Sequence, residues 1–407
     1  MELLKQELYK IFSKKHLVLI LALMLLFVYG PNFFMSITDI KDEYGSTNRL
    51  YNYTKPFEGK ITKEKEEKIF SIFKSNKDND KNSKVTGIYE RIWCNYLEQK
   101  RPRFVAIADV LRQADPPFYS EKLDNRPHDF KGYKLDELNK DLKELKKSGR
   151  ENTYEYKNKN AANNMYKKLS EPKFFYIESW QYISSFVNET NFTIIFIMLL
   201  LGISPIFSEE YKTKVSTIIL SSKKGRRECV RAKILAAIIY AIFIAFICNL
   251  IGTIVITKMY GIEGFNAPMQ SLFEFSCSPY NFTIAQFYLT LFFTSIIGAI
   301  LFVLLILLIS NITKSSMMTF FISGFIFVFP MLVEKFIGVA NVWWKKPLIS
   351  LSITQIFNAT KIYDVFSTIN IFGHPLIYPY FILIYSIVLG TLLTYILHRK
   401  LKYEEIK

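Results

Sequence analysis

Apolar residues in this chain gather into long unbroken runs instead of recurring at the scattered positions of a globular core. Six runs stand out: Leu17 to Phe34, Phe192 to Phe207, Ile234 to Ile256, Ile284 to Ile309, Met317 to Val333 and Leu376 to Leu397. A helix rises about 1.5 Å per residue, so about 20 apolar residues cross a hydrocarbon core roughly 30 Å thick. None of the six has Asp, Glu, Lys or Arg in its middle, where a charge is costly and marks an ion or proton path. The pattern predicts an all-α polytopic membrane protein with six transmembrane helices, at 16–35, 191–207, 234–257, 283–310, 317–333 and 376–398. No small-x-small cleavage site follows Tyr29, so the first run is expected to be a retained helix and not a signal peptide.

Residues 36–190, between the first two spans, are far too polar for a membrane and long enough for a domain with its own core. Helical periodicity shows in the stretches 61–74, 85–99, 134–147 and 154–170. In the third, Leu135, Leu138, Leu142 and Leu145 recur three or four apart and make one apolar stripe. Turn-forming Pro, Asp and Gly separate these stretches at 113–118 and 124–132. A large, mainly helical extracytoplasmic domain is the expectation.

Charge sets the orientation. The chain of 407 residues carries a net +16, and basic short loops stay in the cytoplasm. Residues 1–15, the connector 208–233, the turn 311–316 and the tail 399–407 hold 17 Lys or Arg against seven acids, a net +10. The opposite loops, 258–283 and 334–375, hold five basic and four acidic residues. Both termini are therefore expected in the cytoplasm, with residues 36–190 outside. The same excess places these loops beside anionic membrane lipid. No basic patch interleaved with stacking aromatics argues for nucleic acid, so no nucleic-acid partner is expected.

Catalytic constellations are absent from the sequence. It has no G-x-x-x-x-G-K-[ST] phosphate loop, no G-x-S-x-G and no H-E-x-x-H, so no enzyme and no bound cofactor is expected in this chain. Its four cysteines are scattered, with neither metal spacing nor a disulfide framework. His128 and Asp129 are the one tempting metal pair, and a solvated loop accounts for them. Energy for any transport must come from another subunit.

The stretch SEEYKTKVSTIILSSKKGRRECVRAK, residues 208–233, is longer than a turn between spans requires. It has an acidic pair, Glu209 and Glu210; an apolar centre, Thr217, Ile218, Ile219 and Leu220; and a basic exit, Arg226, Arg227 and Lys233. A short helix here lies on the cytoplasmic membrane surface or in a partner's groove. In order and spacing these residues resemble the segment after the second span of ABC-2 type permeases, the membrane subunits of ATP-binding-cassette exporters. Ser216 stands where that family has Gly, and Ser221-Ser222 where it has Pro.

The resemblance implies that 208–233 is a coupling helix resting on a separate cytoplasmic ABC ATPase, which binds the ATP. It also implies an amphipathic interface helix at 1–15, where Leu4, Leu8, Ile11 and Phe12 share a face, and a dimer with a second permease copy or paralogue. It further implies that residues 334–375, apolar in PLISLSITQIF, dip partly back into the outer leaflet. The expected activity is export of an amphipathic cargo: a peptide, a bacteriocin or a lipid-like compound. Two alternatives stand beside it, a mechanotransmission ABC membrane subunit that works its outer domain, and a polytopic sensor or receptor with no ATPase.

Overall fold

The computed structural model describes residues 2–44, 51, 55–59, 130–170, 175–213, 225–337 and 345–402. The described chain is mostly helical. A short helix α1 (Glu2–Phe12) leads through a 54° bend into α2 (Lys15–Tyr44). On the polar stretch that follows, α3 (Phe130–Lys147) and α4 (Tyr154–Lys167) form an antiparallel pair. The stripes expected at 134–147 and 154–170 fall in these two helices, while those at 61–74 and 85–99, and the His128–Asp129 pair, lie outside the described residues.

Next come α5 (Glu178–Tyr182), a π turn (Ile183–Val187) and α6 (Asn188–Ile203), which run on as one rod. Pro205 ends the rod, because it offers no N–H to the carbonyl four residues back, and opens α7 (Pro205–Lys212). Ser310 donates its hydroxyl to the Ser204 carbonyl at 3.0 Å, which ties this junction to a neighbouring helix. Then follow α8 (Gly225–Tyr260), α9 (Ile284–Thr313) and α10 (Ser316–Ile337). Thr283 caps α9 with a reciprocal box to Gln286, at 3.3 and 3.0 Å.

Among the described residues, five helical stretches are long and apolar enough to cross a membrane, and the count is six if the bent α1–α2 pair makes one span. Their outer surfaces are apolar, as those of membrane-spanning helices are. Phe27 is 80% exposed, and α14 (Tyr378–Lys402) exposes Leu383, Ile384, Ile387 and Val388 along one side. Large apolar side chains exposed along a helix in this way would drive aggregation of a water-soluble protein. Inside, α8 turns Ala237, Ala241 and Ala245 inward, all fully buried, so that neighbouring helices approach closely. Gly202 on α6 lies against the Tyr240 ring, where an added Cβ would come within 2.6 Å of it.

The segment before α14 folds as α11 (Lys345–Ser350), α12 (Ile353–Phe357), α13 (Thr360–Asp364) and a hairpin of β1 (Thr368–Ile371) and β2 (His374–Ile377). The hairpin pairs Thr368 with Ile377 and Ile371 with His374, and is the one departure from helix among the named elements described. Its turn is built by Phe372 and Gly373, both at positive φ. Helix α12 packs against the midpoints of α9 and α10. Thr354 donates to the Phe327 carbonyl at 2.6 Å, and Gly298 touches the Phe357 backbone so closely that a Cβ would lie 2.5 Å from its Cα. The α3–α4 pair rests on the hairpin and on the loop between α8 and α9: Tyr154 bonds Thr368 at 2.7 Å, and Tyr166 donates to the Cys277 carbonyl at 3.2 Å.

Candidate functional site: a charged joint at the foot of the bundle

The candidate site is built where three elements meet. In α1, Glu7 lies three residues after Leu4 and four before Ile11, so helical spacing puts a carboxylate among apolar neighbours. It is 3% exposed. On α7, successive positions diverge: Glu210 turns inward and Glu209 outward. From the first turns of α8, Lys233 enters between them at 2% exposure.

Lys233 Nζ lies 3.1 Å from Glu7 Oε2 and also pairs with Glu210 Oε1. Lys10, partly open to solvent, reaches the same two acids at 2.8 and 3.0 Å. Two carboxylates and two ammonium groups thus form a closed, net-neutral ring, with the Lys233 ammonium also 5.6 Å from the Phe207 ring centre. Burial alone would depress the Lys10 ammonium, but its hydrogen bonds to Glu7 and Glu210 outweigh this and raise its pKa, so it stays charged. An outer pair, Lys14 to Glu209 at 2.7 Å, adds a second tie between α1–α2 and α7.

Taking charges out of water costs several kcal/mol per ion, repaid only when every charge has partners. Here each does, and the result is a mechanical tie: α1, α7 and α8 cannot separate at this point without stranding a buried charge. Nothing in it resembles a catalytic dyad, and no group of three or more potential metal ligands occurs among the described residues.

Deeper in the bundle a second polar chain joins four helices. Tyr29 on α2 donates to Asn191 on α6 at 2.7 Å, and the Asn191 amide donates to the Cys248 carbonyl and to Asn249 on α8 at 3.0 and 3.2 Å. Asn249 in turn donates to Ser295 on α9 at 3.0 Å. In hydrocarbon each such group needs a protein partner.

Of the residues singled out in the sequence, Glu210 and Lys233 are brought together in the ring, and Glu209 sits beside it on the surface. Arg226 and Arg227 stand in the first turn of α8, and Thr217, Ile218, Ile219 and Leu220 lie outside the described residues. Sequence reasoning missed Glu7, Lys10 and Lys14. For Glu7 a signal existed, an acid on the apolar side of a short amphipathic helix.

A family model described as ABC-2 family transporter protein matches residues 1–372. No curated protein and no solved structure matches the chain. The match spans far more than half of the 407 residues and takes in α1, the connector and the helices up to β1, stopping before β2 and α14. The chain therefore belongs to the ABC-2 family of transporter proteins, as a multi-pass membrane component of an ABC transporter whose family implies a cytoplasmic ABC ATPase as partner.

Proposed function

We propose that this chain is the permease subunit of an ABC exporter, in which a separate ATPase drives an amphipathic peptide, bacteriocin or lipid-like cargo across the cytoplasmic membrane. In this reading α1 lies along the inner leaflet, α2 is the first of six spans, both termini are cytoplasmic and residues 36–190 are outside. Residues 334–375 dip partly back into the outer leaflet, consistent with α12 packing at the middle of α9 and α10. Two permease chains, identical or paralogous, enclose the path. Residues 208–233 seat Ile218, Ile219 and Leu220 in a groove of the ATPase, and Arg226 and Arg227 meet its acidic rim.

The observation that carries this reading is the Glu7–Lys233–Glu210 contact. The connector leaves the bundle through α7 and re-enters through α8, and both ends are pinned at the same ring. A push on the connector is handed at once to α1, α7 and α8, which is what a two-state packed bundle needs to switch. Co-purification tests the proposal: the tagged chain, extracted in mild detergent, carries an ABC ATPase identifiable by mass spectrometry, and the preparation hydrolyses ATP. A folded chain recovered with no ATPase and no hydrolysis contradicts it.

A further inference from the structure

At the ends of α9 and α14 lies a cleft of about 600 Å³ that the charged joint does not use. Lys314, Arg399 and Lys400 line it, and no carboxylate is among its lining residues. Lys314 occupies the left-handed cap of α9, at φ 52°, with its ammonium 4.3 Å from the Tyr211 ring centre. Two helix C-termini there contribute roughly half a negative charge each, so Arg399 and Lys400 alone leave a surplus of about one positive charge. Asn311, only 2% exposed, also lines the cleft, and its amide oxygen has no hydrogen-bond partner. Ile312 and Tyr395 line the same cleft and are both more than half exposed.

We infer that this cleft binds the headgroup of an anionic phospholipid of the inner leaflet. The phosphate sits among Lys314, Arg399 and Lys400, a headgroup hydroxyl donates to Asn311, and an acyl chain covers Ile312 and Tyr395. A small soluble anion satisfies the charge but leaves the apolar wall bare, which selects the lipid. The assignment rests on the reading that the α9 and α14 ends face the cytoplasm. A lipid held there braces α14 against the α9 cap and, through Lys314 and Tyr211, against α7.

The full chain in detergent, with no ATPase added, is titrated with phosphatidylglycerol, phosphatidylcholine or inorganic phosphate, with bound lipid read by native mass spectrometry and stability by thermal unfolding. Phosphatidylglycerol is expected to bind and raise Tm, while the other two do neither. The exposed-site double variant R399Q/K400Q binds it about 30-fold more weakly, about 5-fold per charge removed. K314Q, on the other helix, weakens it about 5-fold. Equal binding of phosphatidylcholine, an equal shift with phosphate, or unchanged binding in both variants overturns the assignment. So does phosphatidylglycerol binding that emerges only after E404Q/E405Q, which gives the cleft to the chain's own tail. Lipid binding in this assay is independent of any ATPase, so failure of the transport reading and failure of the lipid site register separately.

Discussion

Lys233 Nζ sits 3.1 Å from Glu7 Oε2, across 226 positions of sequence, and the pair is almost wholly buried. Removing one member of such a network strands the others. Lys233→Met leaves two carboxylates with Lys10 alone and is expected to cost about 3–5 kcal/mol, read as a lowered Tm in detergent. E7Q/K233M regains most of that loss, because Lys10 and Glu210 remain as a neutral pair. Lys14→Met, which breaks the more exposed pair to Glu209, costs about 1 kcal/mol or less. Equal losses in Lys233→Met and Lys14→Met contradict the joint.

The spans were legible because unbroken apolar runs leave few alternatives; the joint was not. Lys233 reads locally as one more basic residue at the mouth of a span, and only the approach of α1 and α7 reveals it as buried. Predicted span two began at 191, whereas the rod starts at Glu178, because polar Ser184, Ser185, Asn188 and Asn191 are accommodated by the π turn and by partners on neighbouring helices. The β1–β2 hairpin was hidden for a different reason. Its strands are four residues each, too short for alternation to register, and Pro375 argues against a strand by composition.

The polar chain inside the bundle separates two magnitudes. Tyr29→Phe deletes one hydrogen bond, and membrane hydrogen bonds average about 0.6 kcal/mol. Asn191→Ala leaves the Tyr29 hydroxyl and the Asn249 amide oxygen short of partners in hydrocarbon, at about 1–3 kcal/mol. Thermal unfolding of the two variants should therefore rank Asn191→Ala clearly below Tyr29→Phe.

Gly298 is where α12 touches the bundle. A methyl group there meets the backbone of Phe357, which cannot swing aside as a side chain can. Gly298→Ala is expected to destabilise by about 1–3 kcal/mol and to speed tryptic cleavage at Lys361 as α12 and α13 loosen. Unchanged cleavage means that this close approach does not hold the segment.

On α4, burial pushes the Tyr166 hydroxyl up to about 12 from its ordinary value near 10. The folded form keeps its proton where the unfolded form has lost it, so the stabilisation is complete below pH 10 and fades as pH rises through 12. Protection of the α3–α4 linker from proteolysis should fall across that window in the wild type. Tyr166→Phe, which cannot ionise, should show a smaller fall over the same range; identical curves would remove Tyr166 from the anchoring of α3–α4.

The most direct test of the central claim is the amount of ABC ATPase retained by Ile219→Asp, compared with wild type, under conditions where both permeases unfold at the same temperature. A connector that docks on the ATPase through its apolar centre predicts that the ATPase is lost from Ile219→Asp while the permease stays folded. Full retention of the ATPase by that variant contradicts the account.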